Sequence, residues 1–376
     1  MASGAAAGSG FLPDSAELDE AFLDQVVSAA EAVLAGIQTK QQAGWSAEAP
    51  WPREAWNTLI QTGWLATGVA AADGGLGLGL QGLTRLAYQA GRFLVGAPVV
   101  EQSLAVALLQ RFATGTVGGI SDDDLPAELV SGELSLAVAW EDAPAAISIA
   151  RPSRPDGRSY LLRHCSADAI LLPFADGRTA RIYRREDPGV VLEPLGGFDP
   201  AAGLAVLHLE AGRSRPLYET AWTGAASPQA LRGIAQLVLA SELCGIGTAA
   251  TDLAVQYAQV RTQFGQQIGA FQAIKHMLVG SWTKTRYLQN MCTSAARLAD
   301  SDVATAELHG AAAKLYGSRT ARLAAETALQ VHGGIGFTTE CAVQLYLKRA
   351  LSLQGLLGEE DDLAVMVGRQ TLTGVG

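Results

Sequence analysis

The segment RTQFGQQIGAFQAIKH, residues 261–276, concentrates hydrogen-bonding side chains between two predicted helices. Arg261 offers a planar fork of donors that suits a diphosphate, and Phe264 offers a flat face to a planar ring. Gly265 and Gly269 allow the backbone to come close to a ligand. Two interpretations follow from these residues: a solvated bend between two helices, or a binding site for a flat, polar, anionic molecule.

A second segment of this kind is ALQVHGGIGFTTE, residues 328–340, which also lies between two predicted helices. Gly333 and Gly334 leave backbone N–H groups open to a ligand phosphate or amide. A plain helix stop explains the same glycines equally well. His332 in this segment and His276 in the first are expected to pack or to end helices, since no Ser/His/Asp pattern accompanies them.

The cysteines and the charge balance exclude several other kinds of site. Four scattered cysteines with no CxxC pair predict neither a zinc site nor a disulfide framework, and they favour a reducing cytoplasm. A net charge of −10 argues against nucleic acid as a partner. The first residues lack the pattern of a signal peptide, and no uncharged stretch reaches the length of a membrane span.

Composition predicts a folded chain with a large core. Apolar residues make up 49% of the 376 residues and charged residues 17%. So few charges leave less polar surface than a lone monomer usually has, which predicts buried subunit interfaces.

The periodicity changes twice along the chain. Helical spacing dominates residues 14–115, short β-rich runs occupy about 134–215, and long helical runs cover 228–260, 269–299, 302–332 and 340–357. The run AADGGLGLGL, residues 71–80, is either a turn or a wall of a ligand cleft. We therefore predict a mainly helical α+β fold, with a flexible tail at 1–13, a helical domain at 14–125, a small antiparallel β-domain at 126–217 and a four-helix bundle domain at 218–376.

Three segments in this order on this framework resemble the acyl-CoA dehydrogenase family: ADGGLGLGL with the helix after it, RTQFGQQIGAFQAIKH, and ALQVHGGIGFTTE. The resemblance covers most of the chain. It implies an N-terminal helical domain, a middle β-domain, a C-terminal four-helix bundle, and dimers or tetramers (a dimer of dimers) built through that bundle, with FAD at the subunit boundary. It also implies which residues would contact or lie close to the FAD of a neighbouring subunit: Arg261, Gln263, Phe264, Gln272, Gln330, Gly333 and Gly334.

The implied reaction is the α,β-dehydrogenation of an acyl thioester carried by coenzyme A or by an acyl-carrier protein. In the family a glutamate takes the α-proton and the flavin takes the β-hydride, so the chemistry needs a carboxylate beside the α-carbon. Electron-transfer flavoprotein is one candidate acceptor for the electrons, and lipid metabolism is the expected setting.

Neither of the two positions where the family carries this glutamate has a carboxylate here. Gly358 occupies one, and the pair Ala235-Gln236 occupies the other. Glu359 follows Gly358 but belongs to an acidic run that predicts a solvated turn. Glu242 lies about two helical turns, or roughly 10 Å, beyond Ala235 and is expected to be a structural carboxylate bonded to a neighbouring helix. The catalytic base is therefore unassigned.

The β-domain departs from the family pattern as well. Trp140 stands where the family has a hydroxyl that meets the flavin, and Glu141 follows it. Trp140 could cover a flavin ring or only fill the space, so the sequence leaves open whether this β-domain holds FAD.

Three hypotheses fit these observations. The chain is an active dehydrogenase with a displaced base, a non-catalytic partner subunit in a heterotetramer, or a biosynthetic flavoenzyme on the same fold. The second is favoured by a resemblance in FQAIKH and KRALSLQGLLG to bacterial members that act on steroid side-chain thioesters and work as heterotetramers. A binding module without flavin would leave the two polar segments without a purpose.

Overall fold

The computed structural model describes residues 20–41, 53–116, 127–140, 160–174, 178–197, 199–210, 212–222 and 227–373. Within these ranges the chain passes from helices to strands and back to helices. The predicted mainly helical α+β order is confirmed.

Four helices precede the sheet: α1 (Glu20–Gln41), α2 (Arg53–Gln61), α3 (Gly79–Arg92) and α4 (Val99–Phe112). The helix start predicted at Asp14 or Ser15 lies outside the described residues. Trp56 and Trp64 are buried in the core of this region. The Trp56 Nε1–H donates to the Gly132 carbonyl at 2.9 Å, so its one polar atom is satisfied inside the core.

The glycine-rich loop before α3 has a local structural explanation. A side chain at Gly75 would meet the Val69 carbonyl oxygen at 2.2 Å, which only glycine avoids. The first backbone N–H groups of α3, at Leu80 and Gln81, donate to the Asp300 carboxylate at 2.7 and 3.2 Å. Asp300 thus caps α3 from the far end of a bundle helix, and the loop fits the interpretation as a turn.

The middle region forms one eight-stranded sheet among the described residues, in the order β1-β8-β5-β4-β2-β3-β7-β6. A short helix, α5 (Ala127–Ser131), interrupts it. The strands are β1 (Ala113–Thr116), β2 (Leu136–Trp140), β3 (Tyr160–Leu162), β4 (Ala169–Leu172), β5 (Thr179–Arg184), β6 (Val190–Pro194), β7 (Ala205–Leu209) and β8 (Tyr218–Trp222).

The prediction of an antiparallel sheet is wrong for one pair of strands. β2 and β4 run parallel, because β3 pairs with the other edge of β2 and the chain then crosses to the opposite side. β1 and β8 were not predicted, and the predicted strand AISIARP, residues 146–152, lies outside the described residues.

Five helices complete the chain: α6 (Pro228–Val260), α7 (Gln272–Ser301), α8 (Ala306–His332), α9 (Val343–Gln354) and α10 (Glu360–Thr373). Ser227 caps α6 by accepting from the Ala230 N–H at 3.0 Å. The backbones of α6 and α8 approach so closely that a side chain at Gly310 would meet the Gly233 carbonyl oxygen at 1.9 Å. α10 was not predicted, since its acidic first turn was interpreted as a solvated turn; acidic residues favour a helix start equally well.

The length and hydropathy of α6 would suit a membrane span, but 94% of its most apolar window is buried inside the fold. Burial of that extent identifies α6 as the central core helix of the bundle.

Candidate functional site

The link between α6 and α7 is a tight two-residue hairpin. Thr262–Gln263 pairs antiparallel with Gln266–Gln267. Phe264 and Gly265 at its tip both take a positive φ, of 53° and 79°, which is the conformation of a primed hairpin turn. The Phe264 ring is 92% exposed and meets the Phe271 ring edge-on at 6.2 Å. This bend therefore has a defined conformation that holds an aromatic ring out in solvent.

The second polar segment begins where α8 ends. Gly333 follows His332 with a φ of 65°, and a short 3₁₀ helix (Gly333–Phe337) comes next. A side chain at Gly333 or Gly334 would meet no atom within 4 Å. The backbone here is open to a ligand on the outside of the bundle.

The two segments meet at one end of the bundle. The Tyr257 ring on the last turn of α6 stacks on the His332 ring, with 4.3 Å between centroids and 19° between planes. Tyr257 lies one helical turn before Arg261, and His332 lies directly before Gly333. The predicted cofactor segments, distant in sequence, are thus neighbours in space.

Every residue predicted to contact the cofactor is exposed in this chain: Arg261, Gln263, Phe264, Gln272, Gln330, Gly333 and Gly334. Guanidinium and amide donors beside an open glycine backbone and an exposed aromatic ring fit a diphosphate joined to a planar ring. The role of these seven residues remains a prediction. His276 is exposed in the second turn of α7.

A small cavity lies where α4, α6, β2 and the loop after α9 converge. Its volume is about 40 Å³, which holds only a few water molecules, whereas pockets for small-molecule ligands commonly measure roughly 300–1,000 Å³. Most of its lining is apolar, with charged groups at one side: Val100, Glu101, Leu104, Val138, Trp140, Arg163, Ala235, Val238, Leu239, Glu242, Leu356 and Leu357. Trp140 is 9% exposed and helps to fill this space.

The two positions expected for a catalytic glutamate touch each other at this cavity. The Gln236 Nε2–H on α6 donates to the Leu357 carbonyl at 2.8 Å. Leu357 and Gly358 take φ values of 62° and 115°. Ala235 and Leu357 line the cavity and neither can accept a proton.

Glu359 lies outside the lining of this cavity. Its side chain is exposed, and its backbone carbonyl accepts from the Leu363 N–H at 3.0 Å as α10 begins. Glu359 therefore lies directly before α10, and its backbone carbonyl accepts the first hydrogen bond of that helix.

Glu242 is the other carboxylate singled out in the sequence, and it is engaged in ion pairs. It is 2% exposed and lies 3.0 Å from the Arg163 guanidinium and 3.9 Å from that of Arg349. Arg163 comes from the β-domain and Arg349 from α9, so the carboxylate bonds to two domains rather than to a helix alone. Its position fits the structural role expected for it.

Glu101 is a further, partly buried carboxylate that sequence reasoning missed. It contacts Arg163 and lies 3.5 Å from His164 Nε2. Burial alone would raise the pKa of Glu101, but the charge of Arg163, together with His164, lowers it to about 2. Burial also lowers the pKa of His164. A carboxylate held this firmly ionised is a weak proton acceptor.

Arg349 joins all three regions. It contacts Asp199 in the β-domain, donates to the Val95 carbonyl after α3 at 2.9 Å, and faces Glu242. Charged residues inside apolar runs, such as Glu101 in VVEQSLAVALL, were the only sequence signal for this network.

The described residues hold no cluster of three or more His, Cys, Asp or Glu side chains suited to a metal ion. The four cysteines, Cys165, Cys244, Cys292 and Cys341, are all free thiols.

Comparison with known proteins gives three findings. Residues 232–372 match the model of the acyl-CoA dehydrogenase C-terminal domain. Acyl-CoA dehydrogenase IpdE2 of Mycobacterium tuberculosis is 31% identical over 268 residues, which are 69% of this chain and 73% of IpdE2. Acyl-CoA dehydrogenase FadE34 of the same organism is 32% identical over 294 residues, 77% of this chain. The match spans only 38% of FadE34.

Among solved structures, the ChsE4–ChsE5 complex from Mycobacterium tuberculosis aligns with a TM-score of 0.76 at 21% identity. The alignment covers 95% of this chain and 98% of the compared chain. At that identity the likeness establishes the fold.

Proposed function

This chain belongs to the acyl-CoA dehydrogenase family, and we propose that it is a subunit that completes an FAD site in a two-component acyl-CoA dehydrogenase. Bound FAD supplies the hydride acceptor for α,β-dehydrogenation of an acyl thioester. The proton would be taken by a glutamate on a partner chain.

The observation that carries this proposal is the absence of a carboxylate at both base positions. Gln236 on α6 donates to the carbonyl of Leu357, the residue before Gly358, so a hydrogen bond ties the two positions together. The acyl α-proton would find an amide and apolar side chains here. Without a base near the α-carbon the chemical step does not proceed at a useful rate.

The state of the cavity supports the same proposal. A volume of about 40 Å³ is too small for an acyl thioester, and the buried Arg163–Glu242 ion pair closes one side of it. The cavity is therefore unsuited to substrate in this chain.

The bundle end supports the cofactor part of the proposal. Arg261 would pair with the diphosphate, Phe264 would cover the adenine ring, Gly333 would let the backbone come close, and the Gly334 N–H would donate to the same anion. All four are exposed in the isolated chain, as is required of groups that reach FAD held mainly by a neighbouring subunit.

The relationship to a solved complex of two named components supports a heteromeric assembly. We place the chain in a tetramer made of two such pairs, in the cytoplasm and in lipid metabolism, with an acyl-CoA or acyl-carrier-protein thioester as substrate. Electron-transfer flavoprotein is the proposed acceptor.

A self-sufficient dehydrogenase is the second candidate, favoured by one observation: Glu101 and Glu242 both line the cavity. Both are ion-paired with Arg163, so either, to act as a base, would remove one of the two carboxylate partners of a buried guanidinium. The biosynthetic flavoenzyme stays a third hypothesis on fold alone.

Affinity purification of the tagged chain from its native cells tests the proposal. We expect FAD together with a second family member that has a glutamate at a base position, in equal amounts with this chain. Arg261→Gln should lower the FAD content of that complex, while Arg297→Gln, an exposed arginine elsewhere on α7, should not. A complex of this chain alone that oxidises acyl-CoA would contradict the proposal.

A further inference from the structure

Tyr257 and His332 connect the two halves of the proposed cofactor site. We infer that their ring stack is a positioning pair, which sets the distance between Arg261 and Gly333 to suit the cofactor diphosphate. The inference rests on the proposed function. It adds two residues that hold the predicted diphosphate-binding segments, residues 261–267 and 333–337, which together form a cradle for the cofactor. The two rings contact this cradle rather than the cofactor.

Tyr257 is fixed to the first half of the cradle through the backbone. Its carbonyl accepts the Arg261 N–H at 2.9 Å, the last helical bond of α6. The Arg261 carbonyl in turn accepts the Ile268 N–H at 2.8 Å, which closes the hairpin behind it. A shift of Tyr257 would therefore carry Arg261 and the hairpin with it.

His332 is fixed to the second half in a similar way. Its Nδ1 lies 2.7 Å from the Ala328 carbonyl oxygen, and since a carbonyl only accepts, Nδ1 must carry the hydrogen. This bond sets the ring plane. Gly333 follows directly and donates its N–H to the Leu329 carbonyl, so the open backbone of Gly333 and Gly334 starts from a fixed point.

The stack joins the ends of two neighbouring bundle helices. α6 and α8 both end here, and helix ends fray unless a side chain holds them. The two rings lie 4.3 Å apart and nearly parallel, an arrangement that contributes beyond simple burial. The pair thus holds two polar segments at one spacing before any cofactor binds.

Substitutions at both rings test the inference, with FAD affinity measured on the complex as isolated. Tyr257→Leu and His332→Ala remove the stack and should weaken FAD binding by about three- to tenfold, the effect of one aromatic pair. Tyr257→Phe keeps two stacked rings and the His332 hydrogen bond, and should bind FAD within about twofold of the natural protein. The matched control is Tyr316→Leu on the same helix α8, which removes the ring pair that Tyr316 forms with Tyr287 of α7, 5.5 Å apart, and should leave FAD affinity unchanged.

Hydrogen exchange on the FAD-free protein gives a second readout. Amides of residues 262–267 and 333–337 should exchange faster in Tyr257→Leu, and at the natural rate in Tyr257→Phe and Tyr316→Leu. Unchanged exchange and unchanged FAD affinity in Tyr257→Leu would overturn the inference. If the natural complex binds no FAD while the exchange still changes as expected, the proposed function fails and the positioning role stands.

Discussion

Glu242 is a carboxylate of the type that catalysis needs, but it is engaged in buried ion pairs that stabilise the fold. Its carboxylate lies in an apolar stretch of α6, where a base could be useful, yet it pairs with Arg163 and Arg349 from two other regions. Buried ion pairs cost much desolvation, and removing one partner leaves the other uncompensated. The network therefore links the three regions of the chain and engages Glu242 and Glu101, the two carboxylates that line the cavity.

We expect Glu242→Gln to lower the free energy of unfolding by about 3–5 kcal/mol, because Arg163 would stay buried with one partner fewer. Denaturant unfolding of the purified protein measures this. Glu326→Gln is the matched control, since Glu326 forms only an exposed pair with Arg322 at 3.9 Å; it should change stability by less than about 0.5 kcal/mol. Equal effects for both variants would show that the buried network contributes nothing.

Glu101 predicts a pH dependence of stability with a definite sign. Its pKa is about 2 in the folded chain, against an ordinary value of 4.5. The folded state therefore favours the ionised form, and this contribution is present above pH 4.5 and lost as the pH falls toward 2. In Glu101→Gln, the fall in thermal unfolding temperature between pH 5 and 3 should be smaller than in the natural protein. An unchanged pH profile would contradict the role of Arg163 in holding this carboxylate ionised.

At the scale of elements, the loop between α9 and α10 is the part that differs most from what a dehydrogenase needs. Leu357 and Gly358 both have positive φ values, and a side chain at Gly358 would meet the Leu363 side chain at 3.0 Å. Glycine is therefore required here by local geometry. The conformation of this loop therefore favours glycine at the position where the family carries its glutamate.

Gly358→Ala should destabilise the protein by about 1–3 kcal/mol, since alanine is strained at this φ. Gly368→Ala is the matched control within α10: no atom lies within 4 Å of the new methyl group, and an alanine inside a helix should stabilise by about 0.5–1 kcal/mol. Thermal unfolding of both variants tests the difference in sign. A neutral Gly358→Ala would mean that the loop adapts and that its conformation is not fixed by glycine.

The sequence predicted the elements whose pattern is local and long. The four long helical runs were found because apolar spacing repeats over many turns, as in α6 and α8. α10 was missed because LGEEDD is compatible with a turn or a helix start. The parallel pairing of β2 and β4, the Arg163 network and the Tyr257–His332 stack depend on contacts between distant segments, which no local pattern encodes.

At the scale of the whole molecule, the chain has the groups for one part of a dehydrogenase, the cofactor site, and lacks those for the other, the catalytic base at the expected positions. The end of the bundle presents exposed groups that fit a dinucleotide, while the interior cavity is small and salt-bridged and, among its described lining residues, has no carboxylate without an ion pair. A complete enzyme needs both a cofactor site and a base. This chain is therefore proposed to supply the first to a partner that supplies the second.

The most direct test is an anaerobic absorbance titration of the chain purified alone and supplied with FAD. Short-, medium- and steroid-side-chain acyl-CoAs are added in turn while the flavin band near about 450 nm is followed. We predict no bleaching with any of them, and bleaching once a family member with an intact glutamate is added. Bleaching by the chain alone would show that it carries its own base and would contradict the central claim.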